Sequence, residues 1–405
     1  MRWSPVHPRS RLFVLLLAAA TGVLLSAQAL AAVTPQQALE RLMTEEIQPA
    51  WFAPAFLSQV PVAQVEAIVA QLTSLLGEYE GIVQENGQFL IVFSEGAVPA
   101  EIALDGQGRI QGLFFHPPRP RMSGLEDAVA QLAQLPGTTH LLVISDDGIL
   151  AAHQPERRLA VGSAFKLAVL AALRDQINAG ERSWDEVVLL PAEAKSLPSG
   201  ILQNWPPGSP VTVHTLAALM ISVSDNTATD ALIALVGRDR VQQYAAHQVP
   251  FLTTREAFVL KDPANAKLLE RYRKADAAGR EALLEELAAL PLPSVEIFAQ
   301  GTPLATDVEW FFNTYELCSL MARVQDLPLM GINPGAADPG DWRQVAYKGG
   351  SEPGVLSMVT GLVGHDGKRY CVAASWNHDA ALDELQFYSI YRGILDVLAQ
   401  SSAGR

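Results

Sequence analysis

The chain has 405 residues, more than one small core needs and about right for two domains behind a leader. Its formal net charge of −14 repels nucleic acid phosphates and anionic lipid, so neither is an expected partner. With 2 cysteines and 8 scattered histidines it is neither a disulfide scaffold nor a metal site of Cys or His ligands, and no metal or cofactor is expected.

Arg2, Arg9 and Arg11 flank the start of an apolar run, Leu12 to Leu25, that is too short for a membrane span. Ala29-Leu30-Ala31 reads as a small-residue cleavage site, so residues 1–31 are expected to be a signal peptide and the mature chain to begin at Ala32 or Val33. A retained membrane anchor is the competing reading. Loss of the three leader arginines takes the net charge from −14 to −17, and no later segment is apolar enough to cross a bilayer. The expected location is periplasmic or secreted.

Ala38, Leu39, Leu42 and Met43 recur at helical spacing after Thr34-Pro35, which predicts a helix over Thr34 to Glu46. A second helix is predicted from Val62 to Leu76, stopped by Gly77. The period then becomes two. Strands are predicted at Tyr79 to Gln84, Phe89 to Phe93, a segment reaching Leu104, and Ile110 to Phe115, with turns at Asn86-Gly87 and Asp105-Gly106. Two helices followed by an antiparallel meander predict a small α+β domain over 33–116. This order resembles the cystatin-like or nuclear-transport-factor-like fold. No acid–base pair stands out in it, so a binding or accessory module is expected. Pro117-Pro118-Arg119-Pro120-Arg121 stiffens 117–122 into a linker, leaving 123–405 as the second domain.

That domain opens with an amphipathic helix, Ser123 to Leu135, and a hairpin, His140 to Ile144 and Ile149 to Ala152 around Asp147-Gly148. Ser163-Ala164-Phe165-Lys166 follows, at the start of an apolar helix. Ser163 then sits where unpaired N–H groups favour developing negative charge, and Lys166 lies one turn on along the same buried face. Desolvation lowers a lysine's pKa and makes it a usable base. A capping serine with an ordinary helix lysine would read the same way. Ser224-Asp225-Asn226 falls between a helix capped by Thr212 and another beginning at Thr227. Such a joint can push a hydroxyl and an amide into a cleft, or can merely cap a helix. Lys348-Gly349-Gly350 follows the strand pattern Trp342 to Tyr347 and precedes strands at Leu356 to Val363 and Arg369 to Trp376 and a helix at Leu382 to Leu398. There it can supply a cation and open backbone, with Ser163 and Ser351 N–H groups as an oxyanion hole.

The three motifs in this order are the elements of serine-acylating hydrolases. From about Ser123 onward the chain resembles the class A β-lactamase and penicillin-binding protein superfamily, as do Ser199-Gly200-Ile201-Leu202 and Pro207-Gly208. The resemblance implies a five-stranded antiparallel sheet with helices on its faces and an inserted helical subdomain, within an overall α+β chain. It implies Ser163 as nucleophile, Lys166 as base, Ser224 as proton relay and Lys348 as electrostatic anchor, with Asn226, Gly350 and Ser351 in substrate binding. The front domain, Thr-Thr-Arg-Glu-Ala-Phe and Lys-Gly-Gly-Ser-Glu-Pro-Gly together resemble a two-domain branch. One member of that branch belongs to a clavulanic acid biosynthetic cluster and behaves as an esterase-like hydrolase.

The chain departs from class A in two places. The Glu-x-x-Leu-Asn segment that activates the deacylating water is replaced by Phe251 to Leu260, which offers Glu256 as a possible deacylation base without the spacing or the asparagine. Gly349 replaces a Thr or Ser, and Ser351 compensates only in part. Residues 263–290 read as two helices inserted as a lid or wall over the site. The expected activity is ester or amide hydrolysis with weak or no β-lactam turnover. A true class A-type β-lactamase, a D,D-peptidase acting on cell-wall peptides and an acylation-only penicillin-binding module are the alternatives. Cys318 and Cys371 read as helical and strand residues, either bridged or free.

Overall fold

The computed structural model describes residues 33–403 apart from 86–87 and 117. The expected leader and the Asn86-Gly87 turn lie outside the described residues. In the front unit, α1 (Pro35–Thr44) starts on a capping box in which Thr34 Oγ1 accepts from Gln37 N and Gln37 Oε1 accepts from Thr34 N. The short α2 (Pro54–Leu57) and the long α3 (Val62–Leu76) follow. Four strands, β1 (Tyr79–Glu85), β2 (Gln88–Phe93), β3 (Gly96–Leu104) and β4 (Ile110–Phe115), pair in sequence order as an antiparallel meander. Ile91, Phe93, Val98 and Ala100 from the sheet bury against Leu39, Leu42, Leu72 and Leu76 of the helices. The segment read as a linker contributes β5 (Arg119–Pro120), which pairs with β3 and so extends this sheet.

The second unit begins with α4 (Leu125–Gln134) and the hairpin β6 (Thr138–Ser145) and β7 (Gly148–His153). A helical region comes next. It contains β8 (Leu159–Ala160), α5 (Lys166–Asn178), β9 (Val187–Leu189), β10 (Pro210–Thr212), α6 (Val213–Ser222), α7 (Asn226–Val236) and α8 (Arg238–Gln242). It continues through α9 (Thr254–Lys261), α10 (Ala266–Lys274), α11 (Ala277–Ala289), α12 (Glu296–Ala299), β11 (Phe311–Phe312) and α13 (Thr314–Val324). The chain then returns to the sheet with β12 (Gln344–Glu352), β13 (Val355–Val363) and β14 (Arg369–Asn377), and ends in α14 (Glu384–Ala403).

The second sheet is wholly antiparallel in the order β12-β13-β14-β6-β7, which makes β12 an edge. Both its faces are apolar, and alternation along one strand shows why. On β14, Val372, Ala374 and Trp376 pack with Phe387, Tyr391 and Leu395 of α14, whereas Cys371 and Ala373 face the helical core with Leu317 and Met321 of α13. Helix α5 is buried along nearly its whole first two turns and more, from Lys166 to Leu173, and forms the spine of that core. Cys318 of α13 and Cys371 of β14 form a disulfide that ties the helical region to the sheet. Among the described residues no helix is long and apolar enough to cross a membrane.

The bridge closes a loop of 53 residues, for which chain entropy alone predicts a stabilisation of about 4 kcal/mol. Replacing both cysteines by alanine is expected to cost up to that amount in denaturant unfolding, with a steeper slope because the unfolded chain is freed to expose more surface.

Candidate active site

Gly162–Phe165 forms a single 3-10 turn that leads directly into α5. Buried aromatic packing fixes this turn: the Phe165 ring stacks on Trp310 at 3.8 Å and meets Phe251 edge-on at 5.7 Å. Val161 N donates to Trp310 O at 3.0 Å, and β8 pairs with β11 just before it. Gly162, Ala164 and Phe165 are buried while Ser163 is partly exposed, so the hydroxyl is the group the turn presents.

Lys166 has no exposure to solvent. Its Nζ donates to Ser224 O at 2.6 Å, Ser224 Oγ at 3.0 Å and Asn226 Oδ1 at 2.6 Å. Burial pulls its pKa well below the usual lysine value, the Lys348 charge pulls further, and Asp230 and Asp225 oppose them in part.

Ser224 sits at the α6–α7 joint with φ of +56°, a left-handed conformation that side chains rarely adopt. Asp225 shows why the joint holds. Its carboxylate is fully buried and accepts from Ala228 N at 2.8 Å, Ile201 N at 2.7 Å and Leu202 N at 2.9 Å, capping α7 and binding the Ser199–Leu202 segment at once. A Cβ on Gly200 would lie 2.3 Å from Asp225, so that approach requires glycine. Ser199 Oγ donates to Ser224 O at 2.7 Å, and Asn226 Nδ2 donates to Leu197 O at 3.1 Å. Asn226 is thereby held on both ends of its amide.

The third motif lies inside β12 and not after it. Lys348 Nζ donates to Ser224 Oγ at 3.1 Å, so one hydroxyl lies between two amines, and burial lowers the Lys348 pKa to about 7. Two residues on, Gly350 packs its bare backbone against the Ser163 turn. A Cβ there would stand 2.1 Å from Val161 O and 2.5 Å from Ser163 N. Ser351 N lies 3.2 Å from the Cβ position of Gly162, so β12 meets the Ser163 turn at both Gly350 and Ser351. The Ser351 hydroxyl points elsewhere, donating to Glu384 at 3.1 Å. Gly349 has its own explanation: a Cβ there would meet Tyr347 Oη at 2.2 Å, so the ring occupies the space a Thr or Ser would need.

Ser163, Asn226 and Ser351 line one cleft of about 260 Å³, with Phe258, Phe298 and Trp310 as its apolar wall. A larger cavity of about 770 Å³ opens between the front sheet and α14, and none of the predicted site residues lines it. Glu256 is not brought to the cleft. Its carboxylate pairs with both Arg238 terminal nitrogens at 2.7 and 2.9 Å and accepts from Thr253 N at 2.8 Å, so it closes a capping box and an ion pair. Of the expected lid or wall, the lid is corrected: Leu268, Tyr272, Leu283 and Leu287 of α10 and α11 enter the helical core, and those helices back α9, which lines the cleft, instead of covering it.

Three residues that sequence reading missed line the cleft: Lys261, Glu309 and Glu352. Lys261 Nζ donates to a carboxylate oxygen of each glutamate. Two of them carried a signal. Glu352 follows Lys348 and Gly350 at strand period two, and Lys261 follows Thr254 and Ala257 at helical period on the cleft face of α9. Glu309, in Asp307-Val308-Glu309-Trp310, carried none. Among the described residues no cluster of His, Cys, Asp and Glu could hold a metal ion.

Residues 124–289 match the family model described as the beta-lactamase enzyme family, a stretch that includes Ser163, Lys166 and Ser224 and ends before Lys348. No curated protein matches the sequence. Among solved structures, the chain is similar to a beta-lactamase from Sphaerobacter thermophilus DSM 20745, at 21% identity over 69% of this chain and 97% of that one, with a TM-score of 0.45. A beta-lactamase from Chitinophaga pinensis DSM 2588 shows 16% identity over 68% and 98%, with a TM-score of 0.48. A class A beta-lactamase representative from Bacteroides cellulosilyticus DSM 14838 shows 18% identity over 68% and 96%, with a TM-score of 0.46.

Because Gly350 meets the Ser163 turn backbone to backbone, Gly350→Ala is expected to leave the chain folded in thermal unfolding while slowing covalent labelling of Ser163. The loss should be on the order of 10²-fold, the usual effect of displacing one oxyanion donor.

Proposed function

We propose that this β-lactamase-like chain is an exported serine hydrolase that works through an acyl-enzyme on Ser163. The observation that carries the reading is the hydrogen-bonded chain behind the Ser163 turn in which half-buried Ser224 joins the buried amines of Lys166 and Lys348. Burial favours the neutral form of Lys166, so its amine takes the Ser163 proton as Oγ attacks an acyl carbonyl. The carbonyl oxygen becomes negative against the Ser163 and Ser351 N–H groups. Ser224 Oγ, between the two amines, relays the proton to the leaving group, and Asn226 lines the space the acyl chain occupies.

The substrate proposed is a small ester or amide. A β-lactam is expected to turn over weakly, because Gly349 lacks the hydroxyl that would hold its carboxylate and Glu256 is committed to Arg238. Export is supported by the leader pattern and by the Cys318–Cys371 bridge, which persists in oxidising compartments. The front unit is proposed as an accessory module of the two-domain kind, with 33–116 and 123–405 as the domains.

Intact-mass detection of an adduct with a chromogenic cephalosporin or a p-nitrophenyl ester tests the reading. The adduct is expected in the native chain and absent in Ser163→Ala; full activity in that variant overturns the proposal. Steady turnover marks a hydrolase, and a single burst marks an acylation-only module.

A second outcome concerns pH. Acylation needs neutral Lys166 and is expected to fall as pH drops through its lowered pKa. Lys348→Met removes a positive neighbour, so that acid limb should move to higher pH in the acylation profile, besides slowing the reaction.

A further inference from the structure

Once Ser163 is acylated, a water must lose a proton for the acyl group to leave, and Glu256 faces elsewhere. Only two carboxylates line the cleft among the described residues, Glu309 and Glu352. Each is next in sequence to a residue whose backbone touches the nucleophile turn: Trp310 O accepts from Val161 N at 3.0 Å, and Ser351 N lies at Gly162. Lys261 binds one oxygen of each carboxylate. The Lys261 and Glu309 side chains are each 1% exposed. Glu309 Oε2, however, is buried without a hydrogen-bond partner among the described residues, a costly state for a carboxylate oxygen inside a cleft wall. Burial and the Glu352 charge raise the Glu309 pKa well above the carboxylate range against the pull of Lys261, so its carboxylate is a stronger base than an exposed glutamate.

We propose that Glu309, held by Lys261 and Glu352, is the general base that resolves the acyl-enzyme on Ser163. The assignment rests on the acyl-serine reading above. Glu309 takes a proton from water as the water oxygen bonds to the acyl carbonyl carbon. The tetrahedral species then breaks its bond to Ser163 Oγ, and Glu309 passes the proton to that oxygen. A carboxylic acid leaves and the serine hydroxyl is restored, with no oxidation or reduction. Lys261 and Glu352 are positioning residues. Were the cluster only a clamp between α9 and β12, its loss would slow acylation and turnover alike.

Pre-steady-state hydrolysis of a p-nitrophenyl ester and of a chromogenic cephalosporin by the full chain, with intact-mass spectrometry, separates these. Glu309→Gln is expected to keep a burst of about one product per enzyme and to build up a persistent Ser163 adduct. Its steady rate should fall roughly 10²-fold or more. Glu309→Asp, which keeps the charge beside Lys261 and covers any weakening of the fold by glutamine, should show the same intact burst with partly restored release. Turnover of Glu309→Gln at the wild-type rate overturns the assignment, as does loss of burst and turnover in equal proportion in both variants. A wild type that neither forms an adduct with nor turns over either probe, or activity that survives Ser163→Ala, removes the acyl-serine reading itself, and that is read before any change at Glu309.

Discussion

A lysine amine without access to water organises the centre of this molecule. Lys166 projects from the first turn of a helix buried on all sides, where an ammonium left unpaired would cost several kcal/mol. Three acceptors meet it, and all belong to the α6–α7 joint: Ser224 O, Ser224 Oγ and Asn226 Oδ1. Two features of that joint follow from the requirement. Ser224 takes a left-handed backbone that turns both its oxygens toward the amine, and Asp225 spends its buried carboxylate on three backbone N–H groups to hold it there.

The edge strand β12 supplies the other half. Its alternation places Lys348, Gly350 and Glu352 on the cleft side, about 7 Å apart along the strand. One position gives an amine to Ser224, the next gives bare backbone to the Ser163 turn, and the last gives a carboxylate to Lys261. Of the intervening residues, Gly349 lies under the Tyr347 ring, and Ser351 lines the cleft while its hydroxyl donates to Glu384. The cleft wall therefore holds Lys261 with two carboxylates beside the rings of Phe258, Phe298 and Trp310, while Lys166 and Lys348 meet Ser224 behind the Ser163 turn.

Support for this arrangement comes from far along the chain. The Cys318–Cys371 bridge fixes α13 to the central strand β14, beneath the helix that carries Lys166. The front sheet reaches toward the second unit through β5, so the proline-rich segment is both a connection and a strand. None of this second set of ties touches the cleft.

Periodicity and turn chemistry made most elements legible. The helix Val62–Leu76 and strand Ile110–Phe115 have the bounds their patterns predict, because Gly77 and the flanking turns punctuate them. Ser163 with Lys166, and Lys348 with Gly350, could be paired from sequence because each pair shares one element, where a helix turn or a strand repeat fixes which side chains share a face. What the sequence could not say was where Glu256 would turn, since Arg238 and Thr253 compete for it. Nor could it gather Lys261 with Glu309 and Glu352, which lie 48 and 91 residues away. Local spacing decides which residues point the same way; only packing decides which distant charges must share one dry place, because burial is a property of the assembled fold.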